Sequence, residues 1–269
     1  MQTFLCSLLA ILCSLGWAMP ASAAPDPPQL SDQEVVDYLN DLKERAFATT
    51  ATGEFEKAII NWSELIDYFP DQAELWGNRG NVYAAQNKME EAIADYDKAI
   101  ELAPFTIDPL INRGVAWEGL QEWDKAIADY NRALRLEPDD AIAHNNRGNA
   151  QAGKENWYGA IADYNQATIL NPNFALAKAN VALAMYETGE HQQALTLMRR
   201  LVQRYPQFAD ARAALTVALW LDGKTGEAES NWFAAQGLDH RYSDIEWVKN
   251  VRRWPPSLVE GLNRFLILE

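Results

Sequence analysis

Cysteine and histidine are scarce in this chain of 269 residues. Only Cys6 and Cys13 occur, both in an apolar N-terminal stretch, and the three histidines are His144, His191 and His240. Two thiols in that place cannot build a disulfide framework, a thiolate zinc site or an iron–sulfur cluster. The histidines are widely spaced and lack acidic residues at metal-ligand spacing. We therefore expect no metal, and expect each histidine to lie on the surface or in packing contacts.

Motifs of catalysis and cofactor binding are also missing. The glycines occur singly, so there is no glycine-rich phosphate loop. Acidic pairs such as Asp139-Asp140 and Glu90-Glu91 stand where helices are predicted to begin, which favours a role as helix-dipole partners over acid–base catalysis. We predict that the protein is not an enzyme and holds no cofactor.

Basic residues are few compared with acidic ones. The chain has 38 Asp and Glu against 23 Lys and Arg, a formal net charge of −15. This charge repels phosphate backbones, which excludes general nucleic-acid binding. Residues 24–104 carry 17 acidic and 6 basic side chains, whereas residues 105–242 carry 17 and 13. We expect a basic or neutral partner that associates more slowly as salt rises.

The N-terminus holds the one long apolar run. Residues 4–19 are almost wholly apolar and precede the small-x-small site Ala21-Ser22-Ala23. A run of about 16 residues is shorter than the ~20 that a membrane-spanning helix needs, which favours a signal peptide over residues 1–23. Because no lysine or arginine precedes the run, an uncleaved membrane anchor is the alternative. Residues 24–38 are predicted to form a linker and the start of the first helix, where Ser31 and Glu34 make a capping box.

A strict period runs through the rest of the chain. The pentad Ala-Ile-Ala-Asp-Tyr begins at residues 92, 126 and 160. Prolines and alanines recur at the same step: Pro70, Pro104, Pro138, Pro172 and Pro206, and Ala58, Ala92, Ala126, Ala160, Ala194 and Ala228. Repetition at a fixed step of about 34 residues predicts a stack of similar helical units.

This pattern resembles the tetratricopeptide repeat (TPR) family. In the unit that starts at Ala73, seven places match the family pattern: Trp76, Gly80, Tyr83, Ala92, Tyr96, Ala99 and Pro104. The resemblance implies an all-α fold, a right-handed α-solenoid of six helix hairpins. The predicted repeats are residues 39–72, 73–106, 107–140, 141–174, 175–208 and 209–242. Residues 243–269 are predicted to form a C-terminal helical cap.

In this family the concave groove is lined mainly by the first helix of each hairpin. The sixth place is asparagine in four consecutive repeats, at Asn78, Asn112, Asn146 and Asn180. Primary amides can pair with the backbone of an extended peptide. The row resembles the asparagine ladder in the TPR domain of O-linked N-acetylglucosamine transferase. The polar strip would be extended by Asn81, Asn145 and Asn149. Alternatively, the amides bridge neighbouring helices, and the sequence leaves both interpretations open.

Arginine and aspartate recur with the same period. Arginine occupies the seventh place of three repeats, and aspartate follows in the second helix at a constant spacing, in Arg79 and Asp95, Arg113 and Asp129, and Arg147 and Asp163. We predict a structural ion pair between the two helices of each hairpin. If partly exposed, each pair contributes about 0.5 kcal/mol.

The groove changes character towards the C-terminus, where Leu183, Tyr186, Val217 and Trp220 form an apolar, aromatic wall. Such a wall suits a partner's anchor residue. Alternatively, the apolar stripe of the C-terminal helix fills the wall from within.

We predict a protein-binding scaffold or assembly factor that holds a partner peptide or helix in its groove. Resemblance to soluble TPR proteins of the periplasm or thylakoid lumen favours an exported protein. The alternative is a self-assembly module, in which the solenoid or its terminal helix mediates homo-oligomers. The sequence argues against a clamp for acidic tails, as in TPR co-chaperones, because Phe47 and Asp108 replace its asparagine and one lysine.

Overall fold

The structure, a computed structural model, describes residues 31–268. The predicted signal peptide over residues 1–23 and the first part of the predicted linker lie outside the described residues. Between residues 31 and 268 the chain is helical, without strands. From Leu42 onward the helices pack within one compact unit. No helix among the described residues is long and apolar enough to cross a membrane.

The described range contains fourteen α-helices and one short 3-10 helix. The first twelve α-helices are α1 Asp32–Ala51, α2 Phe55–Tyr68, α3 Ala73–Ala85, α4 Met89–Leu102, α5 Asp108–Gly119, α6 Trp123–Leu136, α7 Ala141–Gly153, α8 Trp157–Leu170, α9 Ala175–Glu187, α10 His191–Arg204, α11 Ala209–Leu221 and α12 Thr225–Leu238. The 3-10 helix His240–Ser243, α13 Ile245–Asn250 and α14 Pro256–Leu268 follow. Odd-numbered helices up to α11 are the first helices of six hairpins, and even-numbered helices up to α12 are the second.

Local signals set the ends of these helices. The predicted capping box is confirmed, because Glu34 Oε2 accepts from Ser31 N at 2.7 Å and from Ser31 Oγ at 2.8 Å. The second helices end just before the repeat proline, as α4 does before Pro104. Proline cannot continue a helix and biases the residue before it away from helical geometry.

The backbone itself repeats with the period of the sequence at the turn inside each hairpin. One residue of each turn has a positive φ, between 59° and 88°: Gly53, Asn87, Gln121, Glu155, Gly189 and Gly223. Glycine adopts this left-handed geometry without a Cβ clash, whereas other residues do so at a cost. The left-handed turn geometry therefore persists in the middle repeats, although the residue that adopts it there is not glycine.

The fourth place of the repeat ties four of the hairpins to the proline before them. Four side chains there hydrogen-bond to a proline carbonyl six residues earlier: Trp76 to Pro70, His144 to Pro138, Lys178 to Pro172 and Arg212 to Pro206. His144 also lies 3.3 Å from Asp163 Oδ1. Its two contacts explain His144 as a packing residue, in agreement with the sequence prediction.

The two helices of a hairpin approach closely where glycine faces tyrosine. In α3, a Cβ built on Gly80 would lie 2.8 Å from Cε1 of Tyr96, which is buried in α4. The same arrangement pairs Gly114 with Tyr130 and Gly148 with Tyr164. Facing small and large residues let the hairpins reach the packing density of a protein interior.

This packing gives a prediction with an internal control in one helix. Gly80→Ala should lower the free energy of unfolding by about 1–3 kcal/mol, because the added methyl group displaces the Tyr96 ring. Gly77→Ala, where no atom lies within 4 Å of the added Cβ, should raise it by about 0.5–1 kcal/mol through helix propensity. Urea unfolding of both variants measures the difference. Equal effects at the two positions would contradict the close approach.

The predicted arginine–aspartate pairs are confirmed, but their aspartates are buried rather than partly exposed. Arg113 donates from Nε and Nη2 to the two carboxylate oxygens of Asp129, at 2.8 and 2.5 Å. Arg79 and Arg147 bind Asp95 and Asp163 in the same two-pronged way. Exposed ion pairs contribute about 0.5 kcal/mol to stability. Removing one partner of these pairs should cost more than that, because the other partner is left as a buried charge.

Each of these arginines also reaches the previous hairpin. Nη1 of Arg79 donates to Ser63, Nη1 of Arg113 donates to Asp97, and Nη1 of Arg147 donates to Asn131. The three arginines therefore join the two helices of one hairpin to the second helix of the hairpin before. They form a polar spine within the stack.

The region after the last hairpin turns back onto the repeats. Helix α14 packs against α11 and α9, the first helices of the sixth and fifth hairpins. Its Phe265 makes edge contacts with Trp220 and Trp232, at ring-centroid distances of 6.1 and 5.5 Å. The predicted cap region thus reaches along the groove-lining helices instead of covering only the end of the stack.

Candidate functional site

The predicted asparagines lie on four adjacent first helices. Asn81 is exposed and Asn145 is buried, while the others are half-buried: Asn78, Asn112, Asn146, Asn149 and Asn180. The first helices α3, α5, α7 and α9 present them at the places that line the groove in a TPR stack. They divide into two hydrogen-bonded groups and one separate residue.

The first group connects the second hairpin to the third. Tyr96 donates its hydroxyl hydrogen to Asn81 Oδ1 at 2.8 Å, and Asn112 Nδ2 donates to the same oxygen at 3.0 Å. Burial raises the pKa of the Tyr96 hydroxyl above its ordinary value, so it stays a donor. The group leaves the amide nitrogen of Asn81 and the amide oxygen of Asn112 without a partner among residues 31–268.

The second group connects the fourth hairpin to the fifth. Tyr164 donates to Asn149 Oδ1 at 3.0 Å, and Asn180 Nδ2 donates to Asn149 Oδ1 at 3.2 Å and Asn145 Oδ1 at 3.1 Å. Asn145 in turn donates to Asn146 Oδ1 at 3.3 Å. The amide nitrogen of Asn146 has no acceptor in the described part of the chain.

The structure therefore shows that the amides bridge neighbouring helices, and it leaves the peptide-binding ladder possible. Each bridging amide at the sixth or ninth place uses one half in a bond to a neighbour and keeps a donor or acceptor unpaired. Asn78 has no side-chain hydrogen bond to any described residue, and it is half-buried. A primary amide has two donors and one acceptor oxygen with two lone pairs, so both roles are compatible.

The third hairpin breaks the series. Its ninth place is Val115 instead of asparagine, and the Tyr130 hydroxyl donates to Glu118 Oε1 at 2.6 Å. Glu118 is buried. Burial raises the pKa of its carboxyl, whereas the hydrogen bond from Tyr130 and the charge of Arg253 oppose that shift. A buried carboxylate thus stands where the neighbouring repeats have Ala84 and Ala152.

The apolar wall at the C-terminal end of the groove is covered by the chain's own helix α14. Leu183, Tyr186 and Val217 are 5%, 6% and 0% exposed, and they belong to one core cluster with the apolar face of α14. Trp220 is partly buried against the same cluster. The wall is therefore not an open site for a partner. The alternative interpretation, in which the C-terminal helix of the same chain fills the wall, is the one that the structure shows. The physical reason is close helix packing, since a Cβ built on Gly261 would lie 2.7 Å from Val217.

Asp210, which sequence reasoning missed, fixes the start of this C-terminal segment. It lies in α11 and is buried. Its Oδ1 accepts from the Tyr242 hydroxyl at 2.7 Å, from Arg252 Nε at 3.0 Å and from Trp254 Nε1 at 3.1 Å. Its Oδ2 accepts from Arg252 Nη2 at 2.7 Å. One carboxylate thus satisfies three side chains that follow the last hairpin.

Two further carboxylates of the first helices bind the same segment. Arg253 donates from Nη1 to Glu118 Oε2 at 2.6 Å and from Nη2 to the Glu118 carbonyl at 3.2 Å. Its guanidinium lies 5.3 Å from the ring centroid of Trp123. Ser257 donates from its backbone N–H, at 3.1 Å, and from its hydroxyl to Glu187 Oε2. Residues 252–257 therefore cross from the sixth hairpin back to the third.

Three family profiles match the repeats that carry this site. Two described as tetratricopeptide repeat match residues 73–105 and 180–207, and one described as TPR repeat matches residues 119–155. The chain contains tetratricopeptide repeats. A comparison with curated proteins finds no match.

Solved TPR structures share this fold. A tetratricopeptide repeat protein from Parabacteroides merdae ATCC 43184 is 20% identical, with a TM-score of 0.66 and 86% of each chain covered. YrrB, a TPR protein with an unusual peptide-binding site, is 21% identical, with a TM-score of 0.51 over 66% of this chain and 92% of its own. A thermophilic TPR protein from Thermus thermophilus is 16% identical, with a TM-score of 0.57 over 68% of this chain and 99% of its own.

A cavity of about 420 Å³ remains between the repeats of this TPR protein and its C-terminal segment. Side chains of both parts line it, among them Trp123, Trp157, Asn149, Asn180 and Arg253. Among residues 31–268 no group of three histidine, cysteine or acidic side chains is placed to hold a metal ion. The lining combines aromatic surfaces with unpaired amide atoms, which suits a peptide side chain and its backbone.

Proposed function

We propose that this TPR protein is a protein-binding scaffold that holds an extended segment of its partner along the first helices of hairpins two to four. The observation that carries the proposal is the row of amides at the sixth place. They are half-buried on adjacent helices and retain unpaired donors or acceptors. Backbone N–H and C=O groups of an extended chain need such partners when they leave water.

The groove at the third and fourth hairpins offers an apolar surface beside the amides. Val115 is 47% exposed and Ile142 is 55% exposed, and both occupy groove-lining places of the repeat. Amides that bind backbone atoms and aliphatic side chains that bind apolar groups together suit a peptide of modest sequence specificity. The likeness to YrrB, whose structure has a peptide-binding site, supports this use of the fold.

The acidic excess of residues 24–104 supports a basic or neutral partner segment. As part of the same proposal, we place the mature protein outside the cytosol, on the basis of the N-terminal apolar run and the absence of cysteine after Cys13. We further propose that the protein is an assembly factor, which holds the partner until the partner joins a complex.

The test uses amides that can be removed without breaking the stack. Asn78→Ala combined with Asn146→Ala should reduce capture of the partner from extracts at least about tenfold, as expected for loss of two backbone hydrogen bonds. Helix content and melting should stay unchanged, because Asn78 has no side-chain partner in the described range and Asn146 only accepts one bond from Asn145. Asn112 is unsuitable because it also bonds to Asn81.

The matched control is Asn165→Ala. Asn165 is exposed on the second helix α8, so its loss should leave capture unchanged. Wild-type capture by the double variant, measured by quantitative mass spectrometry, would exclude the amide row as the binding surface. Equal loss in the control would point to the second helices instead.

The self-assembly alternative places the contact between copies on the solenoid or on the terminal helix, and the terminal-helix form needs the apolar face of α14. Leu258, Leu262 and Phe265 on that face are at most 2% exposed because they pack on α9 and α11 within the same chain. The face is available to a second copy only if α14 leaves. We therefore propose partner binding ahead of self-assembly, and light scattering at high concentration should show a monomer.

A further inference from the structure

The segment of residues 252–257 has the chemistry of a bound peptide. In its hydrogen bonds to the first helices the segment supplies the donors, from two arginines, a tryptophan N–H and a serine. The first helices supply carboxylates, from Glu118, Glu187 and Asp210. Between residues 249 and 258 the chain has three basic residues and no acidic one. A basic segment thus lies against an acidic groove within one molecule.

The two arginines are held to different degrees. The side chain of Arg252 is 23% exposed and bonds to Asp210 through two nitrogens. The side chain of Arg253 is 36% exposed, and its backbone φ of +52° lies in the left-handed region. A non-glycine residue there is strained and must be held by its surroundings. The end of the segment that reaches Glu118 is therefore the easier end to displace.

We propose that Glu118, Glu187 and Asp210 form a second docking region of the groove, for a partner segment that carries arginine followed by an aromatic residue and proline. The chain's own residues 252–257 occupy this region and compete with the partner. The proposal rests on the proposed function, because it assumes that the same groove binds a peptide. Beyond the proposed function, it states which side chains the partner segment needs and that residues 252–257 block the docking region.

The occupant to expect is a different protein, not a second copy of this chain. A segment joined to its own site acts at an effective concentration in the millimolar range, so an identical segment from another copy gains nothing by replacing it. A partner segment that also engages the amides of hairpins two to four has contacts that the chain's own segment lacks. Those added contacts allow the partner to displace it.

The test measures binding of a fluorescein-labelled peptide with the sequence of residues 249–258, Lys-Asn-Val-Arg-Arg-Trp-Pro-Pro-Ser-Leu. Binding to the full chain is followed by fluorescence anisotropy. The variant Arg252→Ala with Arg253→Ala should bind it at least about tenfold more tightly than the wild type, because the competing segment is weakened. A peptide with alanine at both arginine positions should not bind.

Two further variants keep the result interpretable. Arg253→Ala alone removes only the more exposed arginine, so this variant can replace the double variant if the double variant unfolds. It should tighten peptide binding by a smaller factor. Arg241→Ala is the matched control, because Arg241 pairs with Asp239, and it should bind the peptide like the wild type.

Equal affinity of wild type and both tail variants would overturn the proposal, as would binding of the alanine peptide. A dimer of the wild type in light scattering would also overturn it, since a second copy's segment would then be the occupant. These outcomes leave the amide test untouched: loss of capture in the Asn78 and Asn146 double variant would still support the proposed function.

Discussion

Replacing Asp210 with alanine should lower the free energy of unfolding by about 3–5 kcal/mol, because it leaves the charge of Arg252 without its buried partner. The carboxylate is 4% exposed and accepts four hydrogen bonds. Its loss therefore also leaves the Tyr242 hydroxyl and the Trp254 N–H without this acceptor. Hydrogen exchange should accelerate in residues 245–268, since this carboxylate fixes the start of the segment.

Chemical denaturation of the variant measures the effect, and Asp222→Ala is its control. Asp222 is exposed and pairs with Lys224 at the surface, so its removal should leave the free energy of unfolding close to that of the wild type. An Asp210 variant as stable as the control, with unchanged exchange in the C-terminal segment, would show that the segment is not anchored on α11.

Within the polar spine, Asp129→Ala should also lower the free energy of unfolding by about 3–5 kcal/mol. Its carboxylate is 8% exposed and holds Arg113 through two hydrogen bonds. Asp97 binds the same guanidinium at 2.5 Å but is 56% exposed. Asp97→Ala should therefore lower stability by less than about 1 kcal/mol.

The comparison isolates burial, because both aspartates bind one arginine. Urea unfolding of the two variants is the measurement, and similar effects would contradict the buried spine. The double variant Arg113→Met with Asp129→Leu should recover most of the lost stability, since apolar residues of similar size often replace a buried ion pair without loss.

Period and composition were enough to predict the hairpins and their ion pairs. The spacing from Arg79 to Asp95 recurs unchanged in the next two repeats. A repeat of fixed length places such residues on facing helices in every unit, so the contact follows from the spacing. Helix ends were predictable for a similar reason, because prolines and the Ser31–Glu34 capping box act locally.

The amides were harder because sequence does not show which half of a side chain is used. Asn112 bonds to Asn81 in the preceding hairpin, and the same pair of places is linked again through Asn149 and Asn180. Both the bridging and the ladder interpretations predict asparagine at these places. Only the geometry shows that one half is bonded and the other is unpaired.

The polar contacts of the C-terminal segment lay beyond prediction because no period governs them. Arg253 binds Glu118, which lies far away along the chain in the third hairpin, and nothing in the spacing of either residue indicates the contact. The one available signal was Glu118 itself, a carboxylate at a groove place where the neighbouring repeats have Ala84 and Ala152. Such a charge needs a partner when it is buried.

Amide hydrogen exchange of the full chain, alone and saturated with its captured partner, tests the use of the groove most directly. Binding of the partner in the groove should slow exchange in the first helices α3, α5 and α7 and leave exchange in the second helices α4, α6 and α8 unchanged. Exchange in residues 252–257 should become faster as the partner displaces them. Protection confined to the second helices, with the C-terminal segment unaffected, would contradict this use of the groove.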